Sequence, residues 1–226
     1  MPERIALLHV TLQALAFDLD GTLIDSEPVW HSVERDVTEW LGGTWGPEHQ
    51  DAVVGGSLYA ASRYIIDLAG ADVPVEEVGR RMLDLMKERL PTELEIIPGA
   101  KEILTDARAA GVPVALVTST FRELAEVAIE ALGRDLFTVT VTGDEVDHTK
   151  PHPDPYLKAC RLLGAEPART VVLEDSPTGV AAAEAAGCVV IAIPNIVPIP
   201  EGPRRLVVPA LADLSLARLR EIAASR

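Results

Sequence analysis

From residue 98 onward the sequence alternates between two periodicities, and no other feature constrains its fold as tightly. A helix-periodic stretch through Ala100, Ile103, Leu104 and Ala107 ends near Gly111, and a β-branched, apolar run follows over 112–118. The switch then repeats. A helical pattern through Leu124, Val127 and Leu132 gives way to a strand over 137–142, a helix over 153–163 and a strand over 170–173. A small-residue helix over 179–186 and a strand over 189–193 come next, then a weak strand near 206–208 and a last helix. Short apolar runs joined by amphipathic helices are the pattern of a parallel sheet covered on both faces. The expected class is therefore α/β, with a doubly wound parallel sheet.

The first strand of that sheet lies far upstream. Residues 14–26 read ALAFDLDGTLIDS: apolar from Ala14 to Phe17, then Asp18 and Asp20 with one apolar residue between them, then Gly21 for a tight turn. Between this stretch and residue 98 the signals are helical. Apolar residues recur at helix spacing from Val29 to Leu41, from Leu58 to Leu68 and from Val78 to Leu90, where Pro91 is expected to end the third helix. A helical block inserted after the first strand divides the chain into a core segment (1–24), a cap (25–95) and the remaining core (96–226), with residues 23–26 as the hinge. The natural place for such a cap is over the carboxyl ends of the strands.

Those strand ends carry the polar chemistry. Phe17 is followed by Asp18 and Asp20, Val117 by Thr118 and Ser119, the 137–142 strand after a loop by Lys150, and Leu173 by Glu174 and Asp175. In a parallel sheet these ends share one edge, where open α/β sheets bind their ligands. Carboxylates gathered there repel one another unless a divalent cation neutralises them, and all-oxygen donors suit Mg²⁺ rather than zinc. A hydroxyl, a Lys and Mg²⁺ together would hold the oxygens of a phosphoryl group. One carboxylate can then act as nucleophile, and a second, two residues on, as general acid and base.

Composition narrows the partners. The formal net charge of −15 disfavours nucleic acid, while a small anionic substrate held by local cations stays open. At 48% hydrophobic residues the chain can bury a sizeable core, and no apolar run is long enough to span a membrane. His9, Thr11 and Gln13 interrupt the mildly apolar N-terminus, which does not read as a signal peptide. Cys160 and Cys188 lack metal-site spacing and read as buried free thiols. The expectation is a cytoplasmic protein, monomeric or a small homo-oligomer.

Four motifs in order, Asp18-Leu-Asp20-Gly-Thr22, Leu116-Val-Thr118, Lys150-Pro-His-Pro-Asp154 and Leu173-Glu-Asp175-Ser176, resemble those of the haloacid dehalogenase-like hydrolase superfamily. The similarity is to the subgroup with an α-helical cap after the first strand of a Rossmann-like core. It implies Asp18 as nucleophile and Asp20 as general acid/base, with Thr118 and Lys150 binding the phosphoryl group. It also implies Mg²⁺ held by Asp18, the Asp20 carbonyl and Asp175, with Glu174 assisting.

Relatives that dehalogenate lack a carboxylate at the position of Asp20, so its presence argues for phosphoryl chemistry. A phosphatase of small phosphorylated metabolites is the leading expectation, with sugar or polyol phosphates first; a β-phosphoglucomutase-like mutase is the alternative, and a non-enzymatic binding role ranks below both. The mutases carry a downstream His where this chain has Trp30, and His31 comes one residue late, about 100° further round a helix. They also place an Arg after the cap turn, where Gly55-Gly-Ser57 is followed by Leu58. Trp30, His31, Gly55, Ser57, Ser119 and Arg122 are the candidates for contacting substrate.

Overall fold

The computed structural model describes residues 12–53, 57–195 and 197–225. The chain forms two compact units, Asp25–Glu95 and the rest. The larger unit is built on a six-stranded sheet. Its strands are β1 (Ala14–Phe17), β4 (Val114–Val117), β5 (Val139–Val141), β6 (Thr170–Glu174), β7 (Val189–Ala192) and β8 (Arg205–Val207), numbered along the whole chain. The spatial order is β5-β4-β1-β6-β7-β8, with every pair parallel. The α/β class expected from the alternation holds.

From β1 the chain steps outward one way through β4 and β5, then returns to β6 and steps outward the other way. The order therefore reverses at β1, the position where doubly wound sheets open a crevice. Both faces are covered. Alternate residues Ala16, Ala115, Val117, Val172 and Val190 are buried together with Tyr156, Ala159 and Cys160 of α7 (Asp154–Leu163) and Val180 and Ala183 of α8 (Pro177–Ala185). By the two-residue strand period, Leu15, Phe17, Leu116, Val171 and Leu173 face the other way, and they too are fully buried. On that side α5 (Ala100–Ala109) packs on β4 and α9 (Leu216–Ser225) on β6. Helix α6 (Arg122–Leu132) links β4 to β5. The edge strand β5 is shorter than the 137–142 expected, because only Val141 of it is buried and, among the described residues, its outer side has no neighbour strand.

The second unit is helical: α1 (Glu27–Trp40), α2 (Pro47–Val53), α3 (Leu58–Ala69) and α4 (Val75–Glu93). Val29, Val33 and Val37 of α1 pack with Ala61 and Ile65 of α3 and with Val78, Met82, Met86 and Leu90 of α4. The i, i+4 spacing of the three valines is what places them on one face. Two features depart from the sequence expectation. Helix α4 runs past Pro91 to Glu93, since a proline in the final turn forfeits a single intrahelical bond and Leu94 N–H still donates to Leu90 O at 3.1 Å. Helix α2 was not expected; its anchor is His49, whose Nδ1 lies 2.8 Å from the Tyr64 hydroxyl beside the Trp45 ring. The short strands β2 (Ile24–Asp25) and β3 (Glu95–Ile96) pair where the chain passes between the units. Among the described residues no helix is long and apolar enough to cross a membrane.

Candidate active site

Register explains why the strand-end residues meet. Phe17 pairs with Leu116 on one side and Leu173 on the other, so one step further Asp18 comes level with Val117 and Glu174. The Asp18 N–H donates to Leu173 O at 3.0 Å, continuing the ladder as β1 ends. Lys150 arrives from the segment after β5 and its buried ammonium completes the group. Its Nζ donates to Asp18 Oδ1 at 2.5 Å, to Glu174 Oε1 at 2.5 Å and to Val117 O at 3.0 Å.

Glu174 has all its acceptor capacity taken by the protein. Oε1 also accepts from the Tyr156 hydroxyl at 2.6 Å, and Oε2 accepts from Ser176 Oγ at 3.0 Å and Ser176 N–H at 3.3 Å. Gly179 in α8 is obligatory here, since a Cβ would sit 1.8 Å from Glu174 Oε1. Gly21 (φ +81°) is equally constrained: its backbone favours glycine, and a Cβ would lie 2.1 Å from Asp175 Oδ2. Thr22 Oγ1 approaches Asp175 Oδ1 at 3.4 Å. Asp20 is held differently. Thr120 Oγ1 donates to its Oδ2 at 2.7 Å, and Thr118 Oγ1 lies 3.5 Å from the same atom.

The electrostatics are out of balance as they stand. Carboxylate oxygens of Asp18, Glu174 and Asp175 lie within 4.8 Å of one another. Burial pushes the Asp18 carboxyl well above the usual carboxylate range; Lys150 opposes this, and Glu174, Asp175 and Asp20 add to it. Burial and then the Glu174 charge push Asp175 up to about 7. Burial disfavours the Lys150 charge as well, but Asp18 and Glu174 outweigh it and hold the ammonium protonated. One ammonium does not neutralise three carboxylates, so the pocket accepts further positive charge. The donors are oxygen only, which fits a hard divalent cation. Asp18 and Asp175 would supply the ligand atoms, Glu174 being already engaged.

The other substrate candidates lie elsewhere. Arg122 is spent on structure: its guanidinium pairs with Glu126 and Glu145 and donates to Thr140 Oγ1 at 2.7 Å. Ser119 is exposed beside the strand end. In the helical unit, Trp30 and His31 are half-buried on α1, and His31 Nδ1 lies 2.8 Å from Gln50 Nε2. Ser57 caps α3, its Oγ accepting from Ala60 N–H at 3.2 Å. Gly55 lies outside the described residues. Sequence reasoning passed over Thr120, Tyr156 and Gly179. The signal for Thr120 was its place two residues beyond Thr118 in the same strand-end turn.

This fold and this strand-end constellation define a class of α/β hydrolases with an aspartate at the end of the central strand. The chain belongs to the haloacid dehalogenase-like hydrolases, whose family profile matches residues 12–187. It is 37% identical over 188 residues to phosphoglycolate phosphatase of Chromobacterium violaceum, covering 80% of this chain and 85% of that one. It is 36% identical over 180 residues to hexitol phosphatase A of Escherichia coli, covering 78% of this chain and 81% of the other. Among solved structures, CbbY from Rhodobacter sphaeroides in complex with phosphate superposes with a TM-score of 0.79 at 29% identity, over 92% of this chain and 99% of that chain.

Proposed function

We propose that this protein is a Mg²⁺-dependent phosphatase of small phosphorylated metabolites, sugar or polyol phosphates first among them, working through an aspartyl-phosphate on Asp18. The observation that carries this reading is the division between the two acids. Asp18 is paired to Lys150, whereas Asp20, two residues on, is held by threonine hydroxyls. The ammonium beside Asp18 opposes the burial that raises its pKa and so favours the ionised, nucleophilic form; the hydroxyl that Thr120 donates to Asp20 aims that carboxyl for the acid/base role.

In this mechanism Asp18 attacks phosphorus and the bond to the leaving oxygen breaks, while Asp20 protonates that oxygen. Water then attacks the aspartyl-phosphate with Asp20 taking its proton, and phosphate leaves as the Asp18 carboxylate is regenerated. Lys150 and Thr118 bind the phosphoryl oxygens, and Lys150 also orients Asp18. Glu174 is a positioning residue that fixes Lys150. Mg²⁺, when bound by Asp18, Asp175 and the Asp20 carbonyl, supplies charge neutralisation for the phosphoryl oxygens. Asp25–Glu95 is the cap in this reading, with Trp30 and His31 as selectors of the leaving group. The relatives named phosphatases support hydrolysis over isomerisation.

The test is incubation with Mg²⁺ and a panel of sugar phosphates, polyol phosphates and phosphoglycolate, reading free phosphate and product isomers. Phosphate release by the wild type and its loss in Asp18→Asn are expected. Release that survives in Asp18→Asn would sink the nucleophile assignment, and isomers without free phosphate would make the protein a mutase.

A further inference from the structure

Apart from the catalytic carboxylates, a second set of metal-ligating side chains gathers on the segment that carries Lys150. His148 Nδ1 lies 2.8 Å from Asp154 Oδ2, and His152 Nδ1 lies 3.1 Å from Asp154 Oδ1. The two imidazole rings sit with centroids 4.5 Å apart and planes inclined by 32°. One ligand atom from each of the three residues falls within 4.8 Å of the other two. Both histidines are exposed and Asp154, the first residue of α7, is half-buried. Two ring nitrogens thus converge on one carboxylate at the edge of open water.

Hydrogen bonding alone leaves this arrangement in conflict. His152 Nδ1 also lies 3.3 Å from the Asp154 backbone N–H, towards which it must act as an acceptor. A ring nitrogen carries either a proton or a lone pair. If it accepts from the amide, its lone pair faces a carboxylate oxygen; if it donates to the carboxylate, two N–H groups face each other. A dication among the two nitrogens and the carboxylate takes a lone pair from each and removes the clash between nitrogen and oxygen; the Asp154 N–H, one of the N-terminal donors of α7 that the helix itself does not satisfy, is then left to water. Metal–ligand bonds of about 2.0–2.2 Å in a tetrahedron set the ligand atoms about 3.3 Å apart. The 2.8 and 3.1 Å separations run to different oxygens of Asp154, so both oxygens would share one ion or one imidazole would swing across to the other oxygen, an adjustment open to the two exposed histidines.

We infer that His148, His152 and Asp154 form a binding site for a late first-row transition-metal dication, Zn²⁺ in particular, with water completing the coordination. Two imidazoles and one carboxylate select such an ion over Mg²⁺, whereas the all-oxygen set at Asp18 and Asp175 has the opposite preference. Lys150 lies between the two histidines in sequence, yet its charge does not contest the site, because Asp18 and Glu174 pair it on the inner side. The site stands independently of the phosphatase reading.

The test is a calorimetric titration of Zn²⁺ into the untagged full chain in excess Mg²⁺, repeated with Co²⁺ and its visible d–d absorption. The proteins are wild type, the single variants His148→Ala and His152→Ala, their double variant, and Asp175→Asn; circular dichroism verifies folding. Wild type and Asp175→Asn are expected to bind one equivalent. The double variant should bind more weakly by about tenfold to a hundredfold or more, a loss typical even of outer-shell changes. Equal binding by the double variant overturns the site, as does no binding by wild type. Binding lost in Asp175→Asn but kept in the double variant would place the zinc on the catalytic carboxylates and overturn it too.

Discussion

Glu174 is fully buried and yet has no unsatisfied oxygen: Lys150, Tyr156 and Ser176 supply four donor hydrogens to its two oxygens. A buried carboxylate that well satisfied is fixed in one rotamer, and Lys150 is fixed with it. At Asp20, Thr120 provides the shorter of two hydroxyl contacts. Neither geometry was legible in the sequence, where the place of Thr120 two residues beyond Thr118 was the one signal. The strand period that placed Asp18 and Thr118 at one edge ends with the strand, and beyond it a turn decides which hydroxyl points inward. Ser119 and Thr120 are adjacent and chemically alike, yet only Thr120 bonds Asp20. Removing that hydroxyl should leave Asp20 poorly aimed. A hydrogen bond to a charged acceptor worth about 1.5 kcal/mol corresponds to roughly a tenfold loss in kcat for Thr120→Val. Thr120→Ser keeps the hydroxyl and should recover most of the rate. Steady-state kinetics on the best substrate of the panel checks both, and equal rates in all three proteins would remove Thr120 from the mechanism.

At the scale of elements, α1 shows where periodicity reads a helix well and its surroundings poorly. Val29, Val33 and Val37 announce the buried face, and they are buried. Glu34 stands among the charges between them, as a solvated residue would, but it is buried and its Oε2 has no hydrogen-bond partner among the described residues. Packing of α3 and α4 against α1 covers more than the valine stripe, a consequence of three-dimensional contact that no single-helix pattern contains. Burial, with a smaller contribution from the Glu27 charge, pushes the Glu34 carboxyl up from 4.5 to about 7. The sign follows directly. Below about pH 4.5 the carboxyl is protonated folded and unfolded, so it costs nothing. Between about pH 4.5 and 7 the unfolded chain ionises while the desolvated folded carboxyl keeps its proton, so stability on the order of 3 kcal/mol is lost progressively and the loss levels off once the pH passes about 7. All three tryptophans, Trp30, Trp40 and Trp45, lie in this helical unit, so intrinsic fluorescence reports its unfolding. Denaturant midpoints followed this way should fall between pH 5 and 8 in the wild type and vary much less in Glu34→Gln. Parallel pH profiles for the two proteins would contradict the assignment.

For the whole molecule, the sheet class was legible because six parallel strands need apolar runs at helix-length intervals, and that rhythm survives in one dimension. The helical insert was legible as a break in the rhythm. The strand order was not, since residue types do not say that β1 is central and that the chain leaves it in both directions. Yet that order is what brings Asp18 between Val117 and Glu174 and so concentrates the negative charge of a molecule already at −15. Folding this sheet therefore means crowding carboxylates against one ammonium, a cost that a bound dication offsets. An ion that binds the folded protein and not the unfolded chain stabilises it by about 2.7 kcal/mol at a hundred times its dissociation constant. Mg²⁺ should accordingly raise the thermal midpoint of the wild type by several degrees, by circular dichroism, in step with the concentration that restores activity after chelation. Asp175→Asn keeps the fold but removes a ligand and one repelling charge, so it should be at least as stable as wild type in chelator and gain little from Mg²⁺. A Mg²⁺-induced shift of equal size in both proteins would mean that the ion acts elsewhere, by general screening of the acidic surface rather than at these carboxylates.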